Sequence, residues 1–112
     1  MRLLAVLVIT AASCGGDDEV SWLLGARCDV SADCDDRCLA PSNDYPDGFC
    51  TLDCDRNADC PGGSDCVDLE GGVCLFTCGG NADCAFLGPN WICREENLRE
   101  DQNQRSRVCA GD

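Results

Sequence analysis

Cys54-Asp-Arg-Asn-Ala-Asp-Cys60 is the stretch whose reading decides how this chain folds. It has two counterparts, Cys28-Asp-Val-Ser-Ala-Asp-Cys34 and Cys78-Gly-Gly-Asn-Ala-Asp-Cys84. All three hold five residues between their cysteines and end in Ala-Asp-Cys, with Ser or Asn before the Ala. A threefold match of this length is an internal repeat. The junctions repeat as well. Gly48-Phe49-Cys50 leads through three residues to Cys54, and Gly72-Val73-Cys74 leads through three to Cys78. The chain therefore parses into modules at residues 28–53, 54–77 and 78–112, each with four cysteines. Spacing varies between the second and third cysteines and between the third and fourth, where surface loops absorb insertions.

Thirteen cysteines in 112 residues mark a disulfide scaffold. The large apolar residues beyond the first segment are scattered, with no periodic helical stripe. So short a chain with so few core residues does not offset its conformational entropy by burial alone. Covalent bridges are the usual remedy. The expected fold class is small, disulfide-rich and mostly irregular, with three tandem modules of short β-hairpins and single helical turns. Ser31, Asn57 and Asn81 suit N-cap or Asx-turn positions, so each Ser/Asn-Ala-Asp-Cys is expected to form one capped turn. Cys66-Val-Asp-Leu-Glu-Gly-Gly-Val-Cys74 alternates apolar and polar residues around Gly71-Gly72, as a hairpin does. In the third module residues 94–107 interrupt that hairpin with a polar, charged insert, expected as a long loop or a solvated helix. Four cysteines allow three pairings per module. The expectation is the interleaved one, first with third and second with fourth, which ties both hairpin cysteines back to the turn. The twelve bridge-forming cysteines are Cys28, Cys34, Cys38, Cys50, Cys54, Cys60, Cys66, Cys74, Cys78, Cys84, Cys93 and Cys109.

Residues 1–13 have the form of an export signal: Arg2, an apolar run from Leu3 to Ile9, then Thr10 and the small residues Ala11, Ala12 and Ser13. The run is shorter than the ~20 apolar residues that span a bilayer. Ala11-Ala12-Ser13-Cys14 resembles a bacterial lipobox, although Ala11 stands where that family usually has Leu. The resemblance implies cleavage before Cys14, diacylglycerol on its sulfur and acylation of its new amine, for instance with palmitate. Cysteine parity agrees, because without Cys14 an even twelve remain. Cleavage by the ordinary signal peptidase is the alternative. Residues 14–27 are then expected as a lipid-anchored tether, with Trp22-Leu23-Leu24 packing on the first module. Gly15 is not the Asp that retains some lipoproteins at the inner membrane, which favours the outer membrane or cell surface.

The C-x5-C spacing, the Ala-Asp-Cys ending and the Gly-apolar-Cys close resemble the Dickkopf N-terminal and EB-type cysteine-rich modules. With the leader, the chain looks like the Cys-rich lipoproteins of predatory and soil deltaproteobacteria. The resemblance covers residues 28–109 and departs at the inserts 39–47 and 94–107. It implies an extracellular recognition or spacer role; a fold alone fixes no function.

Chemistry narrows the field further. The formal charge is −13, every basic residue is Arg and there is no His. Such a surface repels nucleic acid and favours cations or basic proteins, while also keeping an exported protein soluble. His-dependent triads are excluded. Zinc is disfavoured by the oxidising compartment and by the lack of paired C-x2-C knuckles. There is no C-x-x-C for redox work. Asp55, Asn57 and Asp59 place oxygens at alternate positions, as calcium loops do, and so do Asp29, Ser31 and Asp33. Position six of each is a cysteine where a calcium loop has Gly, and the third module has Gly79 at position one. Calcium thus accounts for two repeats and local capping for all three. Paired carboxylates mean little among 21 acidic residues, and modules this small do not form a glycosidase cleft. The expectation is a non-enzymatic, cofactor-free envelope protein for binding, adhesion or spacing. Its partners are the membrane, through Cys14, and an extracellular protein or glycan. The alternatives are a protease inhibitor or toxin-like effector presenting Leu39–Phe49 or residues 94–107, and a calcium-binding envelope module. Trp91 and Phe86 are expected in the third module's small core, with binding anchors as their other use.

Overall fold

A computed structural model describes residues 20–112. The expected export signal at 1–13, the expected lipid site Cys14 and residues 15–19 of the expected tether lie outside the described residues. Each module is built on one plan. A 3-10 turn occupies Ser31–Asp33, Asn57–Asp59 and Asn81–Leu87. A two-stranded antiparallel hairpin follows each turn: β1 (Arg37–Leu39) with β2 (Phe49–Thr51), β3 (Ser64–Val67) with β4 (Val73–Phe76), and β5 (Trp91–Asn97) with β6 (Arg105–Gly111). In every hairpin the third cysteine faces the fourth across the strands, as Cys38↔Cys50, Cys66↔Cys74 and Cys93↔Cys109. Six disulfides join first to third and second to fourth: Cys28–Cys38, Cys34–Cys50, Cys54–Cys66, Cys60–Cys74, Cys78–Cys93 and Cys84–Cys109. This is the interleaved pairing.

The repeated residues have particular tasks. The aspartate of Ala-Asp-Cys caps its own turn. Asp33 Oδ2 accepts the amides of Asp29 and Val30, Asp59 Oδ2 those of Asp55 and Arg56, and Asp83 Oδ2 that of Gly79. The Ser or Asn two residues earlier is not the cap expected from the sequence. It reaches across the module and accepts the backbone N–H of the third cysteine: Ser31 Oγ from Cys38 at 3.2 Å, Asn57 Oδ1 from Cys66 at 2.9 Å and Asn81 Oδ1 from Cys93 at 2.9 Å. That amide takes no part in its hairpin's ladder, so a side-chain oxygen satisfies it. The third turn also runs for seven residues, longer than a single turn.

The glycine of Gly-apolar-Cys is a packing requirement. A Cβ on Gly72 would stand 2.3 Å from the Cys54 carbonyl oxygen, and one on Gly48 would stand 1.9 Å from that of Cys28. Both glycines have positive φ, 108° and 81°, which other residues rarely adopt. They immediately precede the strand's first residue, two positions before the fourth cysteine. The third module has Arg107 at that position, and β6 continues through it to Arg105. The insert 94–107 is therefore neither the loop nor the helix expected: it lengthens the hairpin, with a short tip between Asn97 and Arg105. Cross-strand pairing holds the charged strands, with Glu95 opposite Arg107 and a Glu95–Arg105 ion pair at 3.7 Å.

This long hairpin lies along the second module. Asp68 N–H donates to the Asn97 carbonyl at 2.8 Å, Arg99 N–H to Cys66 O at 3.0 Å and Asn57 N–H to a Glu100 carboxylate oxygen at 2.6 Å. Ser106 Oγ bonds Asp65 at 2.7 Å, and Thr77 pairs with Val108. The chain then closes on the first module. Gly111 N–H donates to Asp44 O at 2.6 Å, and Arg94 bonds Asp44 and the Gly111 carbonyl. Between modules one and two, Thr51 Oγ1, fully buried, donates to Cys74 O at 2.7 Å.

One core runs through all three modules, which are not a string of separate units. It joins Leu39, Tyr45 and Phe49 from the first, Val67, Val73 and Leu75 from the second, and Leu87, Trp91 and Val108 from the third. Phe49 is its hub: its ring centroid is 5.9 Å from Phe76 and 5.3 Å from Trp91. The supposed third-module core divides accordingly, with Trp91 buried in the shared interior and Phe86 exposed. Residues 20–27, expected as part of a tether, pack on the first module. Gly25 N–H donates to Cys50 O and Cys50 N–H to Ala26 O, both at 2.8 Å, so this segment runs beside β2. Leu24 enters the core, and residues 20–27 belong to the folded body.

Candidate interaction surface

The segment that enters the fold also builds an exposed apolar face. A tight turn carries Trp22 and Leu23. Ser21 N–H donates to the Leu24 carbonyl at 2.8 Å, and Leu24 N–H to Ser21 Oγ at 3.0 Å. With Leu24 plugged into the core, the turn holds Trp22 60% exposed and Leu23 38% exposed. Beyond Leu23 lies a groove of about 590 Å³ between this turn, the Pro61–Gly63 turn and the third 3-10 segment. Its apolar walls are Leu23, Leu24, Phe76 and Phe86, and Asp83 lies at its rim. The aromatic row Trp91–Phe49–Phe76–Phe86 runs from the core into this groove, ending in an edge-on Phe76–Phe86 contact at 5.2 Å. Phe86 is therefore pre-positioned by packing, which lowers the entropy lost when it is covered.

The residues singled out from the sequence fall elsewhere. All twelve module cysteines are in bridges. In each module three sulfurs gather within 4.8 Å, but they belong to two stacked disulfides and offer no thiolate to a metal. Asn57 Oδ1 and Asp59 Oδ2, two of the calcium candidates, already accept backbone amides, so a cation would compete with the module's own hydrogen bonds. Those amides hold the Asp33 and Asp59 carboxyls below the usual range; for Asp59 the largest contribution is the Asp55 N–H.

The two candidate inhibitor loops are tied down. In residues 39–49, Tyr45 is buried and Ser42 Oγ accepts the amides of Asp44 and Tyr45. Burial, reinforced by the Glu70 and Asp44 carboxylates, pushes the Tyr45 phenol up to about 12. In residues 94–107 every guanidinium is engaged: Arg94 with Asp44 and Glu96, Arg99 with Asp68, Arg105 with Glu95 and Arg107 with the Gly79 carbonyl. The sequence offers Phe86 as a binding anchor, but the Leu23 side of this face was not foreseen as a site. Its one signal in the sequence was an apolar Trp22-Leu23-Leu24 next to an acidic stretch.

Six disulfides place the chain in an oxidising, extracytoplasmic location. Among the described residues no helix is long and apolar enough to cross a membrane. No protein-family model matches the chain, and neither a curated protein nor a solved structure matches it.

Proposed function

We propose that the mature chain is a non-enzymatic binding lipoprotein of the cell envelope, held through lipid on Cys14 and contacting an extracellular protein or glycan through the groove at Leu23, Phe76 and Phe86. The observation that carries this is the groove itself: an apolar, pre-organised surface on a body cross-linked six times. Concave apolar surfaces rimmed by a few polar groups are the usual form of a recognition site. The engaged arginines of residues 94–107 favour this over inhibition of a trypsin-like protease, which needs a free basic side chain at a loop tip.

Two measurements test it. The native protein's mass should show acyl chains on a chain beginning at Cys14, with no alkylatable thiol. An acyl-free chain would remove the anchor. A photo-crosslinking residue replacing Phe86 in the intact envelope should give discrete adducts that the same residue at the exposed Gln102 does not. Equal labelling from both positions would refute the groove as the contact surface.

A further inference from the structure

Among the described residues the exposed large apolar side chains are few, and they are not scattered. Val20, Trp22 and Leu23 are 40%, 60% and 38% exposed, and only Val30 and Phe86 join them. Single exposed apolar residues are ordinary, but three within four positions form a patch. The backbone does not let them collapse inward. The Ser21–Leu24 hydrogen bonds close the turn, Leu24 fills the space beneath it, and Asp35 N–H donates to the Trp22 carbonyl at 2.9 Å. The turn is thus a rigid support presenting an indole and two aliphatic side chains outward.

The position of this patch identifies its occupant. Five residues separate Val20 from Cys14. The six Cα–Cα steps between them reach at most about 20 Å, even fully extended. If the anchor reading holds, on which this inference rests, the patch cannot leave the membrane surface by more than that. Tethering keeps it at high effective concentration there. Tryptophan, with an apolar body and one N–H donor, suits the boundary between headgroups and acyl chains. The intervening Asp17, Asp18 and Glu19, and a net charge of −13, disfavour anionic headgroups, so the matching surface is a zwitterionic one.

We infer that Trp22, with Val20 beside it, forms a foot that inserts into the headgroup region of the membrane holding Cys14, as a second attachment beside the lipid, while Leu23 faces the groove. Two attachments fix an orientation where a lipid alone leaves the body free to swing. The groove, of which Leu23 is one wall and Phe86 another, is then held next to the bilayer surface.

The chain has two tryptophans, Trp22 and Trp91, and Trp91 is only 4% exposed, so it serves as an internal reference. The native lipoprotein, with its acylation state fixed by mass, is placed in phosphatidylcholine vesicles carrying bromine on the acyl chains. Bromine should quench the Trp22 emission, and vesicles should abolish its quenching by aqueous acrylamide. Trp22→Ser should remove the bromine-sensitive component and leave Trp91 unchanged. An acylated protein whose Trp22 escapes bromine and stays open to acrylamide overturns the foot while leaving the anchor standing. An acyl-free native mass overturns the anchor and the foot together.

Discussion

Replacing Phe49 with Ala should destabilise all three modules at once. Phe49 is fully buried, faces Leu39 in the first hairpin and touches Phe76 of the second module and Trp91 of the third. Truncating a buried Phe costs roughly 3–5 kcal/mol, including aromatic contacts worth about 0.5–1.5 kcal/mol each. No disulfide bypasses this loss, because every bridge closes within its own module. A domain of this size shifts its melting temperature by about 4–8 °C per kcal/mol, so the expected fall is on the order of 12–40 °C. The cross-linked unfolded chain has less entropy to gain, which favours the upper part of that range. Calorimetry of the oxidised variant should show one transition, displaced as a whole, and the fluorescence of Trp91 should change at the same temperature. If the thermogram splits, or if Trp91 reports an unmoved third module, the shared core is not what couples the modules.

Three other outcomes are expected. Replacing Cys84 and Cys109 together with Ala should cost more than replacing Cys28 and Cys38, because the bridges span 25 and 10 residues; loop-closure entropy gives about 3.5 against about 2.7 kcal/mol, read by chemical denaturation. Gly72→Ala puts a Cβ against the Cys54 carbonyl at positive φ, where backbone strain alone costs about 1–3 kcal/mol; peptide mapping should find mispaired cysteines in the second module, and a uniformly native map would contradict the packing assigned to this glycine. Asp59 has a folded pKa below its ordinary value of 3.8. Its contribution is therefore complete above the ordinary value and vanishes as pH falls through the lowered one. Asp59→Asn should thus melt below the parent at pH 7 and level with it in strong acid, and an equal deficit at both pH values would mean the amide hydrogen bonds are not its source.

What could be read from residues alone was local. The three Ala-Asp-Cys motifs, the glycines at 48 and 72 and the even cysteine count set the modules, the hairpins and the supply of bridges. Each rests on contacts among near neighbours, so a repeat in sequence is a repeat in structure. Even here two assignments fell differently. Ser31, Asn57 and Asn81 satisfy an amide seven to twelve residues away, and the Asp two residues after each does the capping. The β character of residues 94–107 was hidden by charge on both faces, though Arg107 in place of glycine was its one visible sign.

Only the tertiary structure decided which apolar residues lie inside. Phe49, Phe76, Trp91 and Phe86 are similar as letters, yet they range from fully buried to 41% exposed along one aromatic row. Leu24 and Leu23 are adjacent, and one is core while the other walls the groove. Burial is settled by partners far away in the chain, here by the third hairpin folding back onto the first two modules. Cysteine spacing carries no information about that closure, because every disulfide is internal to its module and the modules meet through apolar packing, hydrogen bonds and ion pairs.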